Sequence, residues 1–479
     1  MSVLAKNAIK YIDEKRDHIV ELSDKIWELA ELALWENKSA AILVDGLKSE
    51  GFKVETGAGG IPSGIVAEWG SGKPVIGFLA EYDALTNVSN KPVPVRDPLI
   101  YDGPGHGCGH NLLGAASYGA AIALKKEMET QGLKGTVRFY GCPAEENLSG
   151  KAFMARDGVF KDCDIALTWH PGAVNRVSTG SSLANNAAYF TFFGRSAHAA
   201  GDPHNGRSAL DAVQLMNMGV EFLREHMPPR TRAHYVITNG GGQPNVVPPE
   251  AQVWYLVRAA ERQAIDELWE RIIKCAKGAA EMTDTRYELK LIKAIYNVLN
   301  NDVLEDVLDE SFKRVGAPKF SPEDQKFAEE ISKTWPETTK RNTLRERQVP
   351  EEWWDKYLND EVLDRPAVPD EARGSTDVGD VSWCCPTAQI STACQALGTP
   401  GHSWQYAAQA GMSIGHAGMI TAAKVLAEAG YVMVTNPALV EKAWAEFRKR
   451  TGGLEYKSAM PADQEPAFHV FAAKYKDQG

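Results

Sequence analysis

Long apolar runs are missing from this chain of 479 residues: none approaches the ~20 consecutive apolar residues that cross a bilayer, so no membrane partner is expected. Met1 to Asp17 carries lysines and acids at helical spacing but no apolar signal core, and a cytoplasmic location is the expectation. An excess of positive charge is missing as well. The net charge of -11 disfavours a nucleic-acid partner. Cysteines number only seven, without framework-like spacing, and the adjacent Cys384 and Cys385 read as packing within an apolar segment. No second cysteine stands at Cys-x-x-Cys spacing from Cys108, which leaves a dithiol redox role without support. Repeats and low-complexity tracts are absent, and ordinary shares of hydrophobic (44%) and charged (24%) residues exclude disordered and fibrous classes.

What is present is more than one hydrophobic core can fill, so two domains are expected. Met1 to Gly51 has helical periodicity, with Ile26, Leu29, Leu32 and Leu34 on the pattern. Strand-like runs follow at Phe52–Glu55, Gly64–Trp69 and Pro74–Ala80, the last apolar on both faces as a covered central strand should be. A small-residue helix from about Gly114 to Met128 separates them from two more buried strands, Gly135–Cys142 and Asp164–His170. Strands alternating with helices imply an α/β sheet. Composition changes at Ala187–Gly194, which opens a strand-helix-strand-strand-helix-strand unit with helices at Ser208–His226 and Gln263–Met282. The expected architecture is therefore an α/β domain with a central mixed sheet, formed by residues 1–185 and 292–479, split by an inserted α+β, ferredoxin-like domain at 186–291. Hinges are expected near Ser182–Asn186 and Leu291–Tyr296. Residues of about 321–374 are charged, tryptophan-bearing and interrupted by Pro336, Pro350, Pro366 and Pro369, and read as a helical surface insertion.

Four features of the α/β part fall at strand ends or the turns after them, the edge where open α/β sheets place their sites. In Gly105-His106-Gly107-Cys108-Gly109-His110-Asn111, glycines free the backbone so that a thiolate and an imidazole can turn toward one centre. Such donors suit Zn, or Mn with carboxylate help, better than Mg or Ca. Glu145-Glu146 follows a buried strand; one carboxylate could bind metal while the other handles protons, or the pair could cap a helix N-terminus. His170 ends an apolar strand in Trp169-His170-Pro171, and His402 stands in Gly401-His402-Ser403. His106, His204 and His416 are rivals in the same neighbourhoods.

These motifs, with Ala197-His198-Ala199-Ala200, Pro203-His204, Pro244-Asn245-Val246-Val247-Pro248 and Gly374-Ser375-Thr376-Asp377, resemble the M20 metallopeptidases, in their amidohydrolase branch. They run in order from about residue 75 to 430. The resemblance implies two divalent metal ions, Mn or Zn, held by Cys108, His110, Glu146, His170 and His402, with Cys108 bridging. It implies Glu145 as general base, His198 as oxyanion donor, and Asn245 and Arg258 as holders of the substrate carboxylate. The inserted domain would then serve as dimerisation and lid domain, often presenting its residues to the opposite subunit.

The implied reaction is hydrolysis of the amide of an N-acyl or N-aroyl amino acid, p-aminobenzoyl-glutamate first among candidates. The alternatives are a dipeptidase or aminoacylase acting on other conjugates, including indole-acetyl-amino acids, or a subunit needing a related partner chain. A homodimer is the expected assembly, a heteromer the second. The insertion shows little likeness to the family beyond its charged character; if it shapes the pocket, the substrate could differ.

Overall fold

The computed structural model describes residues 4–369 and 374–474. Six strands come first: β1 (Lys53–Thr56), β2 (Ile65–Ser71), β3 (Val75–Ala80), β4 (Gly135–Gly141), β5 (Ile165–Gly172) and β6 (Arg176–Ser178). A second group follows, β7 (Ala184–Phe193), β8 (Arg232–Asn239), β9 (Glu250–Ala259) and β10 (Arg286–Ile295), before β11 (Thr387–Ala393) returns to the first sheet. The large sheet has the order β1-β2-β4-β3-β5-β11-β6 and is mixed as expected: β4, β3, β5 and β11 run parallel, and the flanking strands antiparallel. Every residue of β3 and β4 is buried, because helices cover both faces. The parallel core sends the C-terminal ends of four strands to one edge, and the chain leaves that edge at Glu81, Cys142, Ala173 and Cys394.

The helix expected from Gly114 begins four residues earlier, at His110, and runs to Gln131. Its alanines and glycines lie against the helix Ser413–Thr435, where small side chains allow close approach. This second helix corrects the expectation about apolar runs: its 23 residues are long and apolar enough to cross a membrane. It is instead enclosed by the protein, with 89% of its apolar window buried, which is why the same composition serves as core.

The second sheet is antiparallel throughout, in the order β10-β7-β9-β8, with first and last strands side by side as a strand-helix-strand-strand-helix-strand unit requires. Even-numbered residues of β7 and odd-numbered residues of β9 meet the helices Ala209–Leu223 and Arg262–Thr283, as the contacts of Ala188, Phe190, Val253 and Val257 show. The opposite face carries Ala187, Leu256 and Ile295 and packs on Ala144 and Leu148, next to the Glu145-Glu146 turn. The two hinge candidates are the start of β7 and the end of β10, and they pair with each other, Asn185 opposite Ile295 and Asn186 opposite Ala294.

The charged insertion is helical at Pro322–Ser332 and Glu337–Glu346, yet it is not confined to the surface. Trp335, Ile331 and Leu358 pack on Ala396, Ala408 and Ile414, while Trp353, Leu344 and Val349 pack on Val174 and Leu397. Most charges of these helices face outward, with Asp324 and Lys340 buried, while Trp335 and Trp353 of the connecting segments anchor the inward side. The tract 370–373 lies outside the described residues.

Candidate metal centre

The centre is assembled from the turns that leave the parallel edge. Gly109 adopts φ 74°, a conformation that a side chain disfavours, and a Cβ there would approach Pro171 and Tyr406 to 3.1 Å. The turn brings Cys108 and His110 onto the end of β5: Cys108 Sγ lies 3.4 Å from His170 Nε2. His170 Nδ1 donates to the Pro171 carbonyl at 2.7 Å, leaving the Nε2 lone pair free toward Cys108. Burial holds His170 down at about 3, so the ring is neutral at ordinary pH, the form in which an imidazole can bind a cation.

Glu145 and Glu146 lie in a turn, and the next helix starts only at Gly150, so the helix-capping alternative is excluded. Ala144 before them and His402 across the site both take positive φ, 64° and 51°. Left-handed backbone costs roughly 1–2 kcal/mol per non-glycine residue, and such strain gathers where geometry is imposed by function. His402 Nε2 approaches Glu146 Oε2 to 3.4 Å. Donor atoms of Cys108, His110 and His170 form one group within 4.8 Å of each other, and those of Cys108, Glu146 and His402 form another. Cys108 belongs to both.

The chemistry of these donors fits divalent cations. Glu146 Oε1 is buried without a hydrogen-bond partner, and His110 Nε2 and Glu81 Oε2, buried with no hydrogen bond, face each other at 3.2 Å, an expensive condition for polar atoms gathered in one place. Burial and the neighbouring carboxylates push Glu146 up to about 8 and raise Glu145, while Cys108 is raised by burial and by Glu146. Burial opposes charge on His110, but Glu81 and Asp83 outweigh it and hold its pKa well above the imidazole range. Too much acid meets in too little solvent, and cations would relieve it.

Several residues that build this arrangement escaped the sequence reading. Asp83 accepts from His110 Nδ1 through one oxygen and from the Glu146 amide through the other, both at 2.9 Å. Glu81 stands 3.2 Å from His110 Nε2 and also pairs with Lys151 at 2.6 Å, and Lys151 in turn binds Asp377 at 2.7 Å. Glu36 accepts from the Ala144 amide at 2.8 Å and so fixes the turn before Glu145. The signal available was position: Glu81 and Asp83 directly follow the fully buried β3, at the edge already singled out.

The rival histidines are used elsewhere. His106 contacts the Ile26 carbonyl at 3.0 Å, His416 contacts Asp24 at 2.8 Å, and His204 sits in an exposed turn beside Asp202 at 3.4 Å. His198 and Asn245 share an exposed loop pair of the inserted unit, joined where the Ala199 amide donates to the Asn245 carbonyl; neither belongs to the donor groups found among the described residues. Arg258 projects from the sheet face that meets the Glu145-Glu146 turn and donates to Ser375 Oγ at 3.3 Å.

Beside Cys108, His170 and His402 opens a cavity of about 320 Å³. One wall comes from Pro171, Val174 and Tyr406; another comes from Leu344, Arg347 and Val349 of the insertion, which therefore shapes the pocket.

Comparison with known proteins agrees with this geometry. The chain is 41% identical over 474 residues to one of the two named subunits of p-aminobenzoyl-glutamate hydrolase from Escherichia coli (strain K12), covering 95% of this chain and 97% of that protein. This chain belongs to the M20 family. Within it, residues 186–283 match the peptidase dimerisation domain. A more distant relative is the Xaa-Arg dipeptidase of Mus musculus, 27% identical over 94% of this chain and 93% of that protein. The fold is shared with a dinuclear metal-binding M20 peptidase of Bacillus subtilis at TM-score 0.56 and 18% identity, over 88% of this chain and 99% of that one. As an M20 member the chain is a metallo-amidohydrolase.

Proposed function

We propose that this enzyme hydrolyses the amide of p-aminobenzoyl-glutamate, giving p-aminobenzoate and glutamate, with two divalent ions, Mn or Zn, held by Cys108, His110, Glu146, His170 and His402. The observation that carries the chemistry is the sharing of Cys108 by two donor groups next to Glu145. The substrate rests on near full-length likeness to a protein named for it. When bound, paired cations acidify water and polarise a carbonyl.

The chain's own residues supply the rest. Glu145, in the same turn as the ligand Glu146, takes the proton of the attacking water and returns it to the departing amine nitrogen. Asp83 fixes the orientation of His110 and Glu146 together, and Lys151 holds Glu81 and Asp377 in register behind them. The walled cavity receives the aromatic acyl group between Leu344, Val349 and Tyr406. His198 Nδ1 accepts from the amides of Ala200 and Gly201 at 3.2 and 3.0 Å, which puts its proton on Nε2, facing outward. That N–H serves the oxyanion of a second protomer, and Asn245 beside it helps hold the carboxylate.

The partner docks on the inserted unit. Tyr235, Val236 and Ile237 stand exposed on the edge strand β8, and Leu215, Met218 and Phe222 on the adjacent helix. An apolar open edge of this kind favours pairing with a like unit, either a second copy or a related chain. Seven free cysteines suit a reducing, cytoplasmic setting.

The test is amide hydrolysis by the purified chain alone after Mn or Zn loading, across p-aminobenzoyl-glutamate, its aspartate analogue, indole-acetyl-aspartate, N-acetyl amino acids and dipeptides. Highest kcat/KM on the glutamate conjugate is expected. Two bound metals with better turnover of another substrate would overturn the substrate reading. Activity appearing only with a related chain would make the assembly a heteromer.

A further inference from the structure

The sheet face turned toward the catalytic turns holds polar groups that the fold leaves without partners. Asn185, on β7, is fully buried, and neither its amide nitrogen nor its amide oxygen has a hydrogen bond. It stands opposite Arg258 on β9 and opposite Ile295 on β10. Lys293 lies two residues before Ile295, opposite Ala187, and so projects from the same face. Lys293 is half-buried, and its ammonium forms no ion pair or hydrogen bond with a described residue. Facing strands are about 4.8 Å apart and residues two apart on a strand about 6.8 Å, so the three side chains reach one volume. That volume borders the Glu145-Glu146 turn, because Ala187, Leu256 and Ile295 of this face pack on Ala144 and Leu148.

Partly desolvated cations that lack a carboxylate partner, next to an orphaned amide, are costly unless an anion completes them. Burial lowers the pKa of Lys293, while the more distant Glu145, Asp377 and Glu146 support its charge and Arg258 opposes it. None of those carboxylates reaches it as a partner, and Asp377 is held by Lys151. A ligand bearing two negative groups would satisfy both Arg258 and Lys293, and Asn185 between them could donate its N–H to either.

We propose that Arg258 and Lys293, bridged by Asn185, form a two-carboxylate platform in which Arg258 takes the α-carboxylate of the substrate and Lys293 with Asn185 takes the side-chain carboxylate, selecting glutamate over its neutral analogue glutamine. This deepens the proposed function and rests on it for the position of the scissile amide. Lys293 contributes a single strongly hydrated ammonium, suited to a carboxylate on a flexible side chain; Arg258 contributes a planar fork, suited to one held beside the reacting bond.

The test uses the metal-loaded protein and two readouts. Calorimetric titration with L-glutamate and L-glutamine, which needs no turnover, should show wild type binding glutamate at least ~10-fold tighter. Lys293→Met should erase that preference without weakening glutamine, and Lys293→Arg should retain most of it. In turnover, Lys293→Met should raise KM for p-aminobenzoyl-glutamate by ~10-fold or more, with kcat changed far less and the p-aminobenzoyl-glutamine conjugate untouched. Absence of a glutamate preference in wild type, or its survival in Lys293→Met, overturns the platform even if the conjugate is cleaved. A preference that Lys293→Met erases, in a protein that does not cleave the conjugate, upholds the platform and overturns the substrate instead. Should the Met variant fold poorly, Asn185→Ala carries the same comparison, with a reduced preference expected and an unchanged one counting against the proposal.

Discussion

Asp83→Asn isolates the residue that ties the two halves of the metal centre together. The carboxylate is fully enclosed and commits both oxygens at 2.9 Å, one to His110 Nδ1 and one to the Glu146 amide. Burial alone would raise its pKa, yet the attraction and hydrogen bond of His110 leave it below the usual carboxylate range. An amide of the same shape has one acceptor and one donor end. If its NH2 faces the Glu146 amide, two donors collide. If it faces His110 Nδ1, that nitrogen must accept, the proton moves to Nε2, and the lone pair directed at the metal is lost. Either orientation removes one support, and loss of an outer partner typically weakens metal affinity about 10–100-fold, or about 1.4–2.7 kcal/mol. The assay is metal occupancy of variant and wild type across chelator-buffered Mn or Zn, followed by kcat at saturating metal. The occupancy midpoint should shift by that factor, and activity should recover largely when metal is in excess. A midpoint within about twofold of wild type, far short of that factor, would refute the role assigned to Asp83.

Glu145→Gln should keep both metals and lose roughly 10²-fold or more in kcat, the scale for removing a general base; near-normal turnover would end that assignment. Mixing inactive Glu145→Gln with inactive His198→Ala should restore part of the activity, because hybrid dimers pair an intact Glu145 with an intact His198 of the other protomer; no recovery despite subunit exchange would place His198 outside the reaction. Trp353→Ala should cost about 3–5 kcal/mol of local packing, seen as a lowered Tm, and should raise KM for aroyl substrates, since Trp353 packs on Leu344 and Val349, which wall the cavity. Asp380, buried and accepting from Tyr456 at 2.7 Å, is pushed by burial from 3.8 up to about 7. The native state therefore holds a proton there that the unfolded chain has released, and stability falls as pH rises through that window and levels off above it. Asp380→Asn should remove this dependence, so that its Tm relative to wild type climbs between about pH 4 and 7; parallel Tm profiles would contradict it.

The large sheet, the inserted sheet and most element types were legible because apolar runs and alternation report burial directly, as in β3 and β7. The candidate donors were legible too: Cys108 and His110 stand together in glycine-rich chain, Glu145-Glu146 follows the buried strand β4, and His170 lies near the end of β5. Less was legible where a short stretch does two things at once. The insertion mixes an outward charged side with inward tryptophans, and its average composition hides the inward one. The helix Ser413–Thr435 has the apolar length of a membrane span, and only its enclosure by neighbours shows it to be core. By itself the sequence determined which chemical groups are available and in what order they meet the sheet edge. Tertiary structure alone decided that Asp83 couples His110 to Glu146, that the insertion walls the cavity beside Cys108, and that Asn185, Arg258 and Lys293 share a face. Those relations join residues tens to hundreds of positions apart, and no local pattern encodes a contact made only when strands and turns are brought together.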